Sequence, residues 1–173
     1  MKHSSKEIKP YPIVEDSASF VEETAAAYKI QPYETLRVIL GGNKNLKKSL
    51  TGDFDLIDLS RTGIKKSTLK SLAEYLDINM EIMSELLHSS YRNIQRKDED
   101  QLLDTLKTEK VLELAAFAQR GTEVIGNKES FVEWLQSPLV SLGNKTPLYF
   151  LDTSFGIQMV TKLLGRLEQG VYS

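Results

Sequence analysis

Between residues 65 and 97 the apolar side chains fall twice at helical spacing. Leu69, Leu72, Ala73 and Leu76 stand at i, i+3, i+4 and i+7, and Ile82, Met83, Leu86 and Leu87 repeat the stripe. Such spacing places each set on one face of an α-helix, and a chain that carries it has to bury both faces. Asp77-Ile78-Asn79 supplies the turn between them, with Asn79 predicted as the N-cap of the second helix. The second stripe stops at His88-Ser89, and Ser90 is placed to cap a third, short helix, Tyr91-Arg92-Asn93-Ile94-Gln95-Arg96-Lys97. Only Tyr91 and Ile94 are apolar there, three apart on one face, while the other holds Arg92, Asn93, Gln95 and Arg96.

The rest of the chain follows the same period. Residues 1–16, with Pro10 and Pro12, are expected to form a loose arm, and Ser19-x-x-Glu22 has capping-box spacing for a helix near 19–29 that Gln31-Pro32 interrupts. Leu36, Val38, Ile39 and Leu40 end at Gly41-Gly42, and a polar stretch with a break at Gly52-Asp53 follows. Beyond Asp98-Glu99-Asp100, the residues from Leu102 to Ala118 predict a long helix or two abutting ones, ending near Gly121 or Gly126. Asn127 is predicted to cap a helix with Phe131, Trp134 and Leu135 facing inward, which Pro138 stops. Thr146-Pro147 reads as an N-cap and first helical residue. Asp152-Thr153 opens a last helix carrying Ile157, Val160, Leu163, Leu164 and Leu167, with Gly170 at its end. No alternating strand pattern of useful length and no internal repeat occurs, so the fold class is all-α.

Composition closes off several chemistries. With no cysteine among 173 residues, disulfides, thiolate metal sites and cysteine nucleophiles are excluded, and two histidines, His3 and His88, do not furnish a multi-histidine site. The formal charge of -2 hides an asymmetry. Residues 1–97 carry 15 Lys and Arg against 13 Asp and Glu, and residues 98–173 carry 7 against 11, so a mildly basic front precedes an acidic back. The first residues lack an apolar run behind their charges, and no stretch approaches the ~18 apolar residues of a membrane span. A cytoplasmic location is expected.

Two amphipathic helices followed by a short one rich in Arg, Asn and Gln meet the requirements of a helix-turn-helix. The first two bury Leu and Ile, and the third offers donors to base edges and phosphates, with Ser90, Tyr91, Arg92, Asn93, Gln95, Arg96 and Lys97 as the candidate DNA contacts. Arg61, Lys65, Lys66 and Lys70 are placed to add phosphate contacts. Spacing alone also allows an ordinary three-helix bundle with a charged surface. Gly42-Asn43-Lys44-Asn45-Leu46-Lys47-Lys48-Ser49 falls short of a phosphate-binding loop, because Lys47 stands where the second glycine belongs. His88 reads as a capping or packing residue, and no nucleophile, base or metal ligand finds a supporting partner, so an enzyme is not expected.

The back half carries a longer pattern. Its stretches are Val124-Ile125-Gly126, Phe131-Val132-Glu133-Trp134-Leu135, Ser137-Pro138, Leu142-Gly143-Asn144-Lys145-Thr146-Pro147-Leu148, Leu151-Asp152-Thr153, Gly156 and Leu164-Gly165-Arg166-Leu167-Glu168-Gln169-Gly170-Val171-Tyr172-Ser173. These strongly resemble the toxin-binding domain of Xre/MbcA/ParS-type antitoxins from bacterial type II toxin–antitoxin pairs, and Ser90 to Arg96 resembles that family's recognition helix. The likeness covers about residues 60–173. Asn93 stands where the family commonly has Thr, and Gln169 where it has His.

The resemblance implies an Xre-like helix-turn-helix domain over residues 56–97 and a small α-helical toxin-binding domain over 98–173, with residues 1–55 an arm and helices of unassigned role. It also implies a homodimer that represses its own operon and neutralises a toxin, with no cofactor of its own. In this family the toxin carries an NAD-destroying RES domain or is an ADP-ribosyltransferase-like relative, so NAD is the toxin's substrate. An acidic domain with an extended tail is suited to plug such a cleft, and the expected toxin contacts are Arg166, Glu168, Gly170, Val171, Tyr172 and Ser173. A second reading is a stand-alone regulator whose C-terminal domain dimerises or senses a ligand.

Overall fold

Five short side chains set where the helices begin. Asn79, Ser90, Asp104, Asn127 and Thr153 each accept a hydrogen bond from a backbone N–H three residues on, satisfying a donor that the helix leaves orphaned. The computed structural model describes residues 33–170. The predicted arm at 1–16, the helix near 19–29, the Gln31-Pro32 break and Val171-Tyr172-Ser173 lie outside the described residues.

Residues 33–39 are helical (α1), and α2 (Gly42–Asn45), α3 (Asp53–Thr62), α4 (Ser67–Leu76), α5 (Met80–Leu86) and α6 (Tyr91–Gln95) follow. Then come α7 (Thr105–Ile125), α8 (Lys128–Gln136), two 3-10 turns at Val140–Leu142 and Pro147–Phe150, and α9 (Ser154–Glu168). No strand longer than an isolated bridge occurs among the described residues. The fold is all-α.

Helix α7 is the spine. α9 packs along it most extensively, α3 lies against another face, and α8 and α4 complete its surround. Val111, Leu114, Ala115 and Ala118 of α7 are wholly buried, and Val160 and Leu164 of α9 meet them in one continuous core with Leu69, Leu72 and Leu76 of α4. Gly121 lets α8 come close: a Cβ there would lie 2.1 Å from the Phe131 ring.

Several boundaries differ from the sequence expectation. Leu102 and Leu103 precede the long helix instead of opening it. Leu103 N–H donates to the Ile64 carbonyl at 2.8 Å and Leu102 bridges Lys65, so this pair lies extended beside the α3–α4 turn. The helix starts after Asp104 and ends at Gly126, whose φ of 106° gives the left-handed C-cap. Thr146 and Pro147 are the N-cap and first helical residue as expected, and the helix they open is a 3-10 turn of four residues. Trp134 is only half-buried, stacking on Phe131 at 6.2 Å between ring centres.

Candidate functional site

Helices α4, α5 and α6 form a tri-helical unit. Asp77 takes a left-handed conformation (φ 52°) to end α4, and the Asn79 side chain accepts the Ile82 N–H at 2.9 Å to start α5. The α5–α6 turn runs through His88, also left-handed (φ 49°), and the Ser90 hydroxyl caps α6 by accepting the Asn93 N–H. Ile94, at 1% exposure, anchors α6 in the core. That single anchor turns the remaining surface outward: Ser90, Tyr91, Arg92, Asn93, Gln95 and Arg96 are exposed, and Lys97 is half-buried. Arg96 donates to the Asn93 side-chain oxygen at 3.3 Å, leaving guanidinium donors free on the same surface.

The lysines upstream divide into two kinds. Arg61 and Lys70 are exposed, with Lys70 3.9 Å from Glu74. Lys65 and Lys66, expected to reach phosphate, are instead engaged within the chain. Lys65 pairs with Asp100 at 2.5 Å, and Lys66 pairs with Glu99 at 2.9 Å. The Lys66 ammonium also donates to the carbonyls of Lys97 (2.6 Å) and Gln95 (3.5 Å), capping the C-terminal end of α6 with a cation. The Lys66 and Ser67 amides bond the Gln101 and Glu99 carbonyls, so the α6–α7 linker is clipped to the start of α4. Lys66 is therefore a positioning residue for α6. The sequence offered Lys66 only as a phosphate contact and not in this role, since its partners lie about 30 residues away.

The segment 42–49 is structural. Asn45 is buried, with its side chain donating to the Leu40 carbonyl (2.8 Å) and Ser71 and accepting from Ser67 (2.8 Å). These bonds hold α2 against α4.

At the other end of the molecule, Arg166 is exposed on the last turn of α9. Glu168 is ion-paired with Arg120 of α7, and Gly170 turns the chain with a φ of 69°. The remaining expected toxin contacts, Val171, Tyr172 and Ser173, lie outside the described residues. The described members of the two sets of site residues are not brought together. The His88 ring donates from Nε2 to the Asp152 carbonyl at 2.9 Å, tying the α5–α6 turn to the start of α9. The far end of that 15-residue helix lies about 22 Å away along its axis.

Between the α5–α6 turn, the first half of α7 and the start of α9 lies a pocket of about 740 Å³, walled by Leu87, His88, Leu106, Lys110, Glu113 and Ser154. Burial lowers the pKa of the Lys110 ammonium, whose nearest acid is Glu113 at 3.7 Å. Its Nζ is enclosed without a hydrogen-bond partner among the described residues. Glu113 itself accepts from the Ser154 hydroxyl at 2.9 Å. No group of three or more acidic or histidine side chains is arranged to hold a metal among the described residues. No helix among them is long and apolar enough to cross a membrane.

Comparison with known proteins fits both halves. Residues 55–116 match the antitoxin Xre-like helix-turn-helix domain, and residues 120–170 match the antitoxin Xre/MbcA/ParS C-terminal toxin-binding domain. A Sphingobium protein (strain YBL2) named Prs ADP-ribosylating antitoxin is 26% identical over 129 residues, which cover 69% of this chain and 81% of that one. A Yersinia enterocolitica protein named antitoxin Xre is 25% identical over 120 residues, covering 68% and 81%. A looser likeness, at 19% identity and a TM-score of 0.45, links 62% of this chain to 96% of one in the crystal structure of the M. tuberculosis MbcT–MbcA toxin–antitoxin complex. Both family matches occur in order and with little between them, and the chain belongs to the Xre/MbcA/ParS-type antitoxins.

Proposed function

We propose that this antitoxin has two separable activities. It represses its own operon through α6, and it neutralises an NAD-consuming toxin, of the RES or ADP-ribosyltransferase-like kind, by placing its C-terminal tail in the active-site cleft. The observation that carries the first activity is the polarity of α6: Ile94 inside, with Arg92, Asn93, Gln95 and Arg96 outside. These side chains suit major-groove readout, Arg toward guanine and Asn or Gln toward adenine, with Ser90, Tyr91 and Lys97 at phosphates.

For the second activity, the likeness to a protein named Prs ADP-ribosylating antitoxin supports an NAD-consuming partner. The net acidity of residues 98–173 and the exposed Arg166 beside the tail support contact there, with Gly170, Val171, Tyr172 and Ser173 entering the cleft and Glu168 at its rim. Because Glu168 is held by Arg120 and Leu167 is half-buried, the informative truncation stops after Gly170. Co-expression with the toxin encoded beside it, scored by growth and cellular NAD, tests the reading. The full chain is expected to restore both, and the chain ending at Gly170 to restore neither while still binding operator DNA. Protection by the truncated chain would sink the plug mechanism. Failure of the full chain to protect would remove the proposed partner.

A further inference from the structure

Lys44, Lys47 and Lys48 belong to a segment that neither proposed activity uses. Its backbone is pinned from within, because Asn45, Leu46 and Leu50 are buried while the three lysines are exposed. The Asn45 side chain, bonded to the Leu40 carbonyl and to Ser67 and Ser71 of α4, fixes α2 on α4. A backbone ordered before a ligand arrives loses less freedom on binding.

Two hollows on α4 share a border. One of about 200 Å³ lies between α4 and α6 and is lined by Tyr91 and Gln95, and the other, about 550 Å³, opens toward α2 and is lined by Lys44, Ser67 and Ser71. Lys70 and Glu99 line both, so the surface beside α6 continues over Lys70 to Lys44. Lys47 faces the same ground. After Lys65, its charge helps to hold the Asp100 carboxyl below the usual range.

The acids here each face another lysine: Glu74 lies by Lys70, Glu99 by Lys66 and Asp100 by Lys65. Lys48 is turned to Asp55 of α3 at 2.6 Å. Lys44 and Lys47 make no ion pair within 4 Å among the described residues. We propose that Lys44 and Lys47 form a second DNA contact, gripping backbone phosphates beside the groove that α6 reads. It rests on the operator reading above. A helix seated in a major groove about 12 Å wide has phosphates on either flank, and Lys70 and Lys44 stand on the α4 flank. Two ammonium point charges on a pinned turn, with no planar fork to select a base edge, suit phosphate and add affinity without sequence information.

Binding titrations against salt test this, using a duplex from just upstream of the chain's own coding sequence and an unrelated duplex of equal length. Lys44→Gln combined with Lys47→Gln should weaken binding to both by the same factor, at least about tenfold near 0.1 M salt, and lower the salt slope by about two. Lys44→Arg with Lys47→Arg should keep the slope, and Lys48→Gln should change it little. Circular dichroism and melting are expected to match across the set, since all three side chains are exposed. An undiminished slope in the Gln pair overturns the proposal and leaves the repressor reading standing. An equal loss in Lys48→Gln also overturns it, because diffuse charge is then responsible. So does a Gln pair that binds DNA normally but no longer protects against the toxin, since the surface then serves the toxin. If the full chain binds both duplexes equally and the Gln pair loses slope, the phosphate contact stands and the repressor reading falls. If the full chain binds neither duplex, both fall.

Discussion

Gly121 and Lys66 show how much one residue decides here. Alanine at position 121 improves helix propensity by about 1 kcal/mol, yet its methyl would press into the Phe131 ring, and such overpacking costs about 1–3 kcal/mol. With the added carbon only 2.1 Å from the ring the cost falls at the upper end, and Gly121→Ala is expected to lower stability by up to about 2 kcal/mol, read as a drop in the urea midpoint. Lys66 bears on the proposed DNA site through α6, since its ammonium is engaged by Glu99 and by the carbonyls of Gln95 and Lys97. Lys66→Met should cut operator affinity about tenfold while leaving the salt dependence of binding unchanged, because no phosphate contact is lost. Lys66→Arg should recover part of the affinity. A salt slope reduced by about one in Lys66→Met would instead identify a direct phosphate contact.

Helices were legible in the sequence where a single residue's chemistry starts or stops them. Asn79, Ser90, Asn127 and Thr153 cap because a short polar side chain is enough to satisfy an orphan amide. Helix α3 was harder, since Gly52 makes no side-chain cap, and the start of α7 was hidden because Leu102 and Leu103 continue the apolar spacing of Leu106 across Asp104 and Thr105. What separates Leu103 from that helix is its bond to Ile64, 39 residues earlier, and no local pattern carries it. The same holds for the site: the polar face of α6 is a local property, whereas the engagement of Lys65 and Lys66 comes from distant acids. At α7, Asp104 accepts from the Lys107 amide and ammonium, which hold its carboxyl below the usual range. A carboxylate held this way stabilises the fold fully above its unfolded pKa, near 4, and progressively less as the pH falls through its lower folded value. Asp100, beside the Lys65 ammonium, follows the same sign. Urea midpoints should therefore fall below about pH 4, and Asp104→Ala should cost ~1 kcal/mol at neutral pH while shrinking that acid loss. On α6, Arg92→Ala with Arg96→Ala should abolish salt-sensitive operator binding in titrations and leave toxin neutralisation intact.

Across the whole molecule the two matched domains share one core. Besides the His88–Asp152 bond, Tyr75 on α4 meets Thr122 on α7 at 2.9 Å, and Gln136 of α8 donates to the Asp77 carbonyl at 2.9 Å. Unfolding should therefore be a single transition. The lone tryptophan, Trp134, reports on the toxin-binding half, and circular dichroism reports on both. Their urea curves are expected to coincide, and a fluorescence change preceding the loss of helix would show two independent units. The shared spine also limits how such proteins can recombine. A crossover near residue 97 sets α3 and α4 against a foreign α7, and one near residue 126 does the same to α8 and α9. Either hybrid inherits a mismatched half-core, so the proposed DNA address and the proposed choice of toxin would pass to descendants as one parcel.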